Sequence, residues 1–324
     1  MTDRGTGTTS VDLTARVGPL TLANPVLTAS GTFGHEDEMA AWMDLRLPGA
    51  VVLKTVTLHP RAGNPPPRVV ETAGGILNSI GLPNEGLDHL LAVTRERMKS
   101  RTSALVANVA GERLAEFGTL AERIEATEKE DPGGFAAVEL NLSCPNLEGG
   151  GFPYAKSAEL AEKACRLVRD RLSLPILAKL SPNVSDPVEI AQACKAGGAD
   201  ALTLINTPLG LSLDWRTGRP RLGGIHGGLS GPVLKPLALY VVHTVFAATR
   251  MPIVGVGGIE TAEDVLEFLA AGASAVQVGT ATFRRPLALA EILAELPGRL
   301  AEVGARSAAE WVGRAHGCEE ARPA

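Results

Sequence analysis

Eight short apolar runs in this chain each end at a polar residue or a glycine pair. Val26-Leu27 leads to Ser30, Val51-Val52-Leu53 to Lys54, Leu105-Val106 to Asn108, and Val138 through Leu140 to Asn141. Ile176-Leu177-Ala178 ends at Lys179, Leu202 to Ile205 at Asn206, Ile253-Val254 near Gly257-Gly258, and Val276 to Val278 at Gly279-Thr280. Continuous apolar runs of this length read as strands buried on both faces, the signature of a parallel sheet. When such strands close into a barrel, their C-terminal ends and the following loops converge on one face, where the chemistry sits.

Between the runs lie helical stretches at about Glu36 to Leu45, Leu87 to Ser100, Leu114 to Lys129, Ala158 to Leu172, Pro187 to Ala196, Pro232 to Thr249, Ala262 to Ala271 and Leu287 to Val303. Strand and helix thus alternate eight times, which calls for right-handed crossovers and parallel strands. The predicted fold is α/β, a (β/α)8 TIM barrel, with a doubly wound sheet as the alternative. Such a barrel takes roughly 250 residues, so one domain accounts for the 324 present. We expect a disordered N-terminus over 1–10, a single barrel over 11–312 and a flexible tail over 313–324. Leu13 to Val17 and Leu20 to Leu22 flank Gly18-Pro19 as a small hairpin that closes the barrel bottom.

Two intervals between strand ends, Lys54 to Asn108 and Asn206 to Gly257, are much longer than the rest. The first holds Pro65-Pro66-Pro67 and Gly74-Gly75, the second Gly223-Gly224 and Gly227-Gly228. Both read as insertions forming loops over the mouth.

Composition narrows the function. A net charge of −5 gives no basic footprint for nucleic acid. The polar stretch Met1 to Ser10 lacks the apolar core of a signal peptide or anchor, so a cytoplasmic protein without membrane attachment is expected. Cys144, Cys165, Cys194 and Cys318 are too far apart for a Cys-x-x-Cys pair, and the six histidines show no ligand spacing. No metal site is expected.

At the strand ends, Gly257-Gly258 and Gly279-Thr280 suit a phosphate, because glycine lets backbone N–H groups approach an anion. The same glycines also suit plain tight turns. Lys54 and Lys179 end two strands, where an ammonium either reaches solvent or meets an anion. Asn78, Asn141, Asn146 and Asn206 carry both donors and acceptors, which fit a planar ligand with alternating carbonyl and N–H groups, although each type is also common in turns. Cys144 lies in Asn141-Leu142-Ser143-Cys144-Pro145-Asn146, on a loop, where a thiol can serve as base or nucleophile or simply pack.

Together these segments resemble dihydroorotate dehydrogenases of class 1, from about Leu13 to Pro286. The likeness runs through Asn24-Pro25 to Gly34, Lys54 to Pro65, Asn78 to Leu82, Asn141 to Asn146, Lys179 to Asn183, Ile205 to Thr207, Gly227 to Pro232 and the two glycine loops. It implies an FMN enzyme oxidising dihydroorotate to orotate in pyrimidine biosynthesis. By that likeness FMN is held by Ser30, Lys54, Thr55, Asn108, Asn141, Lys179, Ile205, Gly231, Gly257, Gly258, Gly279 and Thr280. Substrate falls to Lys54, Asn78, Ser79, Ile80, Gly81, Leu82, Asn141, Asn146, Asn206 and Thr207, with Cys144 as the catalytic base. The residues Thr57 to Glu71 and Glu148 to Phe152 look more like the NAD-linked branch than the fumarate-linked one. That branch implies a partner subunit carrying FAD and a 2Fe-2S cluster, on a homodimeric core. A non-redox synthase or aldolase barrel would share the glycine loops, and a silent binding module would share the fold.

Overall fold

The computed structural model describes residues 11–34, 39, 41–97, 103–143 and 153–317. The chain opens with an antiparallel hairpin, β1 (Ala15–Val17) and β2 (Leu20–Leu22), turning at Gly18 with φ +60°. Two barrel strands follow, β3 (Val26–Thr28) and β4 (Ala50–Val52). The first insertion forms β5 (Val69–Thr72) and β6 (Gly75–Asn78) and leads into α1 (Leu87–Arg97). Regular alternation resumes with β7 (Ala104–Val109), α2 (Leu114–Glu130), β8 (Ala137–Asn141), the single turn α3 (Pro153–Lys156) and α4 (Ala158–Arg169). Next come β9 (Ile176–Lys179), α5 (Pro187–Ala196) and β10 (Ala201–Leu204). The second insertion forms β11 (Leu209–Leu211) and β12 (His226–Ser230) before α6 (Lys235–Thr249). The chain then runs through β13 (Ile253–Val256), α7 (Ala262–Ala270), β14 (Ala275–Val278), α8 (Ala281–Arg284) and α9 (Ala288–Glu302).

β3, β4, β7, β8, β9, β10, β13 and β14 close into one parallel barrel in sequence order, as the eight apolar runs predict. Three helix starts carry side-chain caps: Ser157 accepts from Leu160 N–H, Asp186 from Val188 and Glu189 N–H, and Thr261 with Asp264 forms a capping box. The largest apolar cluster lies between the strands and the helical ring, with Phe117, Leu120, Ile124, Val242, Phe268 and Leu296 at its centre.

A second cluster fills the barrel from below. Ala15, Val17, Leu20 and Leu22 of the hairpin pack against Leu27, Val52, Val106, Leu177 and Val254, the inward residues near the strand starts. The hairpin therefore plugs the bottom, as expected. Side chains alternate along a strand, so the next inward positions, two residues on, bring in five polar residues, Asn108, Glu139, Lys179, Thr203 and Gln277, alongside Ala29, Lys54 and Val256. All five are buried. The interior is layered, with apolar side chains below and polar ones above.

Three expectations need correction. The described part of 36–45 runs through turns and bends rather than a helix. Asp44 accepts hydrogen bonds from the backbone N–H of Arg46 (2.9 Å) and from its guanidinium, a local bond that competes with helical pairing. The two insertions are not merely loops, because β5, β6, β11 and β12 pair as one antiparallel sheet in the order β11-β12-β6-β5. Their strands are short and glycine-rich, which hides the two-residue alternation by which strands are read. Finally, residues 313–317, placed in a flexible tail, dock on the ring. Gly313 N–H donates to Leu269 O, and His316 Nε2 lies 3.0 Å from Ala271 O with its ring stacked on His243. One helical stretch among the described residues, Pro232–Thr249, is apolar and long enough to cross a membrane by length and composition. Here it packs on β10 and β13 through a face that includes Ala238, Val242 and Val245.

The plug is a packing element. Replacing Leu22, which is 2% exposed, by Ala should cost about 2–5 kcal/mol. Urea unfolding would show a lower midpoint with an unchanged slope.

Candidate functional site

The polar layer is built around one carboxylate. Glu139 on β8 is fully buried, and donors from three other strands converge on it. Asn108 of β7 donates its side-chain amide to Oε1 (2.5 Å), while Thr203 of β10 and Gln277 of β14 donate to Oε2 (2.7 and 2.6 Å). The Lys179 ammonium, on β9, lies 3.8 Å from Oε1 and donates to Gln277 Oε1 at 3.4 Å. A buried carboxylate costs several kcal/mol unless it is both paired and hydrogen-bonded, and this one is both.

Above this floor opens a cavity of about 660 Å³. Its near wall is a belt of hydroxyls and amides at the strand ends. Ser30 and Thr55 share a hydrogen bond of 3.2 Å, Asn141 donates to Thr55 at 3.5 Å, Ser143 donates to Asn141 at 3.1 Å, and Asn206 donates to Ser143. Lys54 also lines the cavity, and among the described residues no carboxylate pairs with it. Ser30, Lys54, Thr55, Asn141, Lys179 and Ile205 thus line one cavity.

The opposite wall carries Gly231, Gly257, Gly258, Gly279 and Thr280. Thr280 donates its hydroxyl to Ser230 at 2.9 Å, joining the end of β14 to the end of β12. Gly257 and Gly258 hold φ of +132° and +77°, and a Cβ on Gly258 would stand 2.6 Å from Lys235 N. The loop's backbone needs glycine there. Lys235 in turn bonds Asp264 (2.6 Å) and Glu267 (2.9 Å), fastening α6 to α7 behind the loop. Partial burial opposes the charge of Lys235, yet these two carboxylates outweigh it and hold its pKa above the ordinary lysine value.

The inserted sheet makes the roof. β6 pairs with β12 in the register Gly228↔Asn78, Leu229↔Leu77 and Ser230↔Ile76, and Asn78 donates its side-chain amide to Gly228 O (3.3 Å). That pairing sets Asn78 to Leu82 against Asn206 and Thr207 across the cavity. Asn84 anchors the segment by accepting from Thr57 and Gly86 N–H and donating to Leu82 O, while Ser79 accepts from Asn64 (2.9 Å).

One expected residue lies elsewhere. Asn108 is fully buried beneath the cavity wall, in contact with Glu139, and its Oδ1 has no partner among the described residues. Cys144 and Asn146 lie outside the described residues. Sequence reading missed Glu139, Gln277 and Ser143. Parity could have found the first two, since Glu139 shares a strand face with Asn141, and Gln277 lies two positions before Gly279. Ser143 is a small polar residue beside a more conspicuous thiol, and only its bonds to Asn141 and Asn206 mark it.

Comparison with known proteins gives the family. Residues 12–300 match the family described as dihydroorotate dehydrogenase. The chain belongs to the dihydroorotate dehydrogenase family. Among its relatives, the protein named dihydroorotate dehydrogenase B (NAD(+)), catalytic subunit, of Desulforamulus reducens is 45% identical over 306 residues, covering 94% of this chain and 99% of that one. The proteins of the same name from Bacillus pumilus and Desulforudis audaxviator are each 46% identical, over 91% and 93% of this chain and 94% and 96% of theirs. Within this dihydroorotate dehydrogenase fold, the strand-end residues are the ones the cavity gathers.

Two outcomes follow for the glycine wall. Gly258→Ala should destabilise the protein by about 1–3 kcal/mol, the usual cost of a strained backbone, read as a lowered Tm. Lys235→Met should also lower stability, with a defined pH dependence. A raised native pKa gives stability that is fully present below the unfolded lysine value and is lost as pH rises through the native one. The deficit against the parent should be constant at neutral pH and narrow above pH ~10.5, measured by urea midpoints across pH.

Proposed function

We propose that this chain oxidises dihydroorotate to orotate in pyrimidine biosynthesis with a bound FMN, as the catalytic subunit of an NAD-linked enzyme. The observation that carries the reading is the single cavity in which two strand-end ammonium groups, an asparagine belt and a glycine wall meet under one roof, in a chain of this family. The donor set fits FMN. Gly231, Gly257, Gly258, Gly279 and Thr280 would hold its phosphate. Ser30, Thr55, Asn141, Lys179 and Ile205 would hold the ring, with the unpartnered Asn108 Oδ1 beneath it.

When bound, FMN supplies the two-electron acceptor. The protein's own residues do the rest. Lys54 faces the substrate carboxylate, and Asn78, Asn141, Asn146, Asn206 and Thr207 present donors and acceptors to the amide edges, as do the backbone groups of Ser79 to Leu82. Cys144 takes the proton from C5 while the C6 hydrogen leaves as hydride. Lys179 would place a positive group where a bound flavin gains negative charge on reduction. The names of the relatives support a second subunit and NAD. We take that subunit to carry FAD and a 2Fe-2S cluster on a homodimeric core, in the cytoplasm.

The purified chain should be yellow, and dihydroorotate should bleach it without oxygen; failure to bleach would overturn the reading. Cys144→Ala should keep its FMN yet be reduced about 10²–10⁴-fold more slowly, the usual worth of a general base. Stopped-flow absorbance provides the check, and near-parental bleaching would remove Cys144 from the mechanism.

A further inference from the structure

Lys179 is 6% exposed and ends at the cavity. Glu139 lies behind it, off the cavity wall, with no route to substrate. Yet beyond the carboxylate on β8 and the lysine on β9, three further strands, β7, β10 and β14, commit a side chain to the pair. A carboxylate needed only to fill space could be replaced by an apolar residue of similar volume at no loss. We propose that Glu139 is the positioning residue for Lys179, holding the ammonium charged and in place at the cavity floor so that it can stabilise the reduced flavin.

The geometry gives Glu139 two handles on the lysine. One is direct, through Oε1 at 3.8 Å. The other runs through Gln277, which donates to Glu139 and accepts from Lys179 at 3.4 Å. Both carboxylate oxygens must accept, since Asn108 donates to one and Thr203 and Gln277 to the other. A glutamine at 139 would turn its N–H₂ onto one of these donors and remove the counter-charge. A lysine buried without a counter-ion loses its proton several units below the ordinary value. No other group bonded to Glu139 titrates, and the remaining ionisable side chains on the cavity wall are Lys54, Lys156, His226 and Glu260.

The consequence is a change in proton count. Beside an ammonium held by its counter-charge, a bound flavin would take up two electrons and one proton to give an anionic reduced form. On the proposal, loss of the counter-charge in Glu139→Gln leaves the amine to be protonated only on reduction, toward alkaline pH. Reduction then takes two electrons and two protons, one to the ring and one to the Lys179 amine. A tenfold change in proton activity is worth about 30 mV per proton in a two-electron couple. The midpoint potential should therefore fall by about 30 mV per pH unit in the parent and by about 60 mV in the variant over the alkaline part of the range.

The inference rests on the flavin reading above, and the two fail separately. A parent without flavin absorbance fails that reading, whereas a yellow parent isolates this one. The experiment is an anaerobic redox titration of the FMN-loaded protein from pH 6 to 9, with the parent, Glu139→Gln, and the double variant Glu139→Gln with Gln277→Glu. The double variant returns a carboxylate to the lysine from β14. The steeper slope in the single variant and its return to the parental slope in the double one would support the proposal. An unchanged slope in Glu139→Gln, or a potential raised at every pH, would overturn it, because a purely structural or purely negative group would act in those ways. Should the single variant lose its flavin, the double variant decides. Flavin held with the parental slope supports the proposal, and a flavin-free or unfolded double variant overturns it.

Discussion

A carboxylate inside a β-barrel forces its neighbours to be polar, and in this protein Glu139 sets that requirement for the upper half of the interior. Once it is there, Asn108, Thr203 and Gln277 must donate to it, and Lys179 must balance its charge. Each comes from a different strand, so the barrel must be closed in one register for the set to meet. The apolar plug below and the polar floor above divide the interior within a two-residue step, Ala137 to Glu139 on β8 and Leu177 to Lys179 on β9. Hydrophobic burial supplies the lower half without directional demands. The upper half adds direction, because hydrogen bonds have fixed partners.

The barrel itself was legible in the sequence, since strands buried on both faces leave continuous apolar runs, and seven of the eight helical stretches fall where periodicity places them. The exception is the stretch over 36–45, whose described part is turns and bends, and in it Asp44 bonds locally to Arg46 instead. Strand-end residues were legible for the same reason as the strands: Lys54, Asn141, Lys179 and Asn206 each interrupt an apolar run. Glu139 was not, because it sits inside such a run, flanked by Val138 and Leu140, and a count of hydrophobic residues passes over it. Its role depends on which way the strand faces, information that alternation carries and composition lacks.

The insertions were harder still. Their proline and glycine content argues for loops, and locally that is a fair reading of Pro65 to Pro67 and of Gly223 and Gly224. What the local sequence lacks is the partner. β6 and β12 are short, weakly apolar strands that become a sheet only beside each other, with Gly227 and Gly228 permitting the approach. On Gly228 a Cβ would stand 2.0 Å from Thr207 Oγ1, so its lack of a side chain serves the cavity wall as well as the sheet.

That seam also orders events in time. Asn78 and Gly228 are 150 positions apart, whereas the strands of the barrel pair largely with their sequence neighbours. A contact over so long a loop costs more chain entropy than a local one and is gained only after nearer contacts have shortened the path. The barrel supplies that shortening by bringing the ends of β4 and β10 to the same face. The roof of the chamber thus belongs to the long-range contacts, of which the β14–β3 closure between Val276 and Val26 spans still more chain, and until β6 meets β12 that side of the polar floor is uncovered.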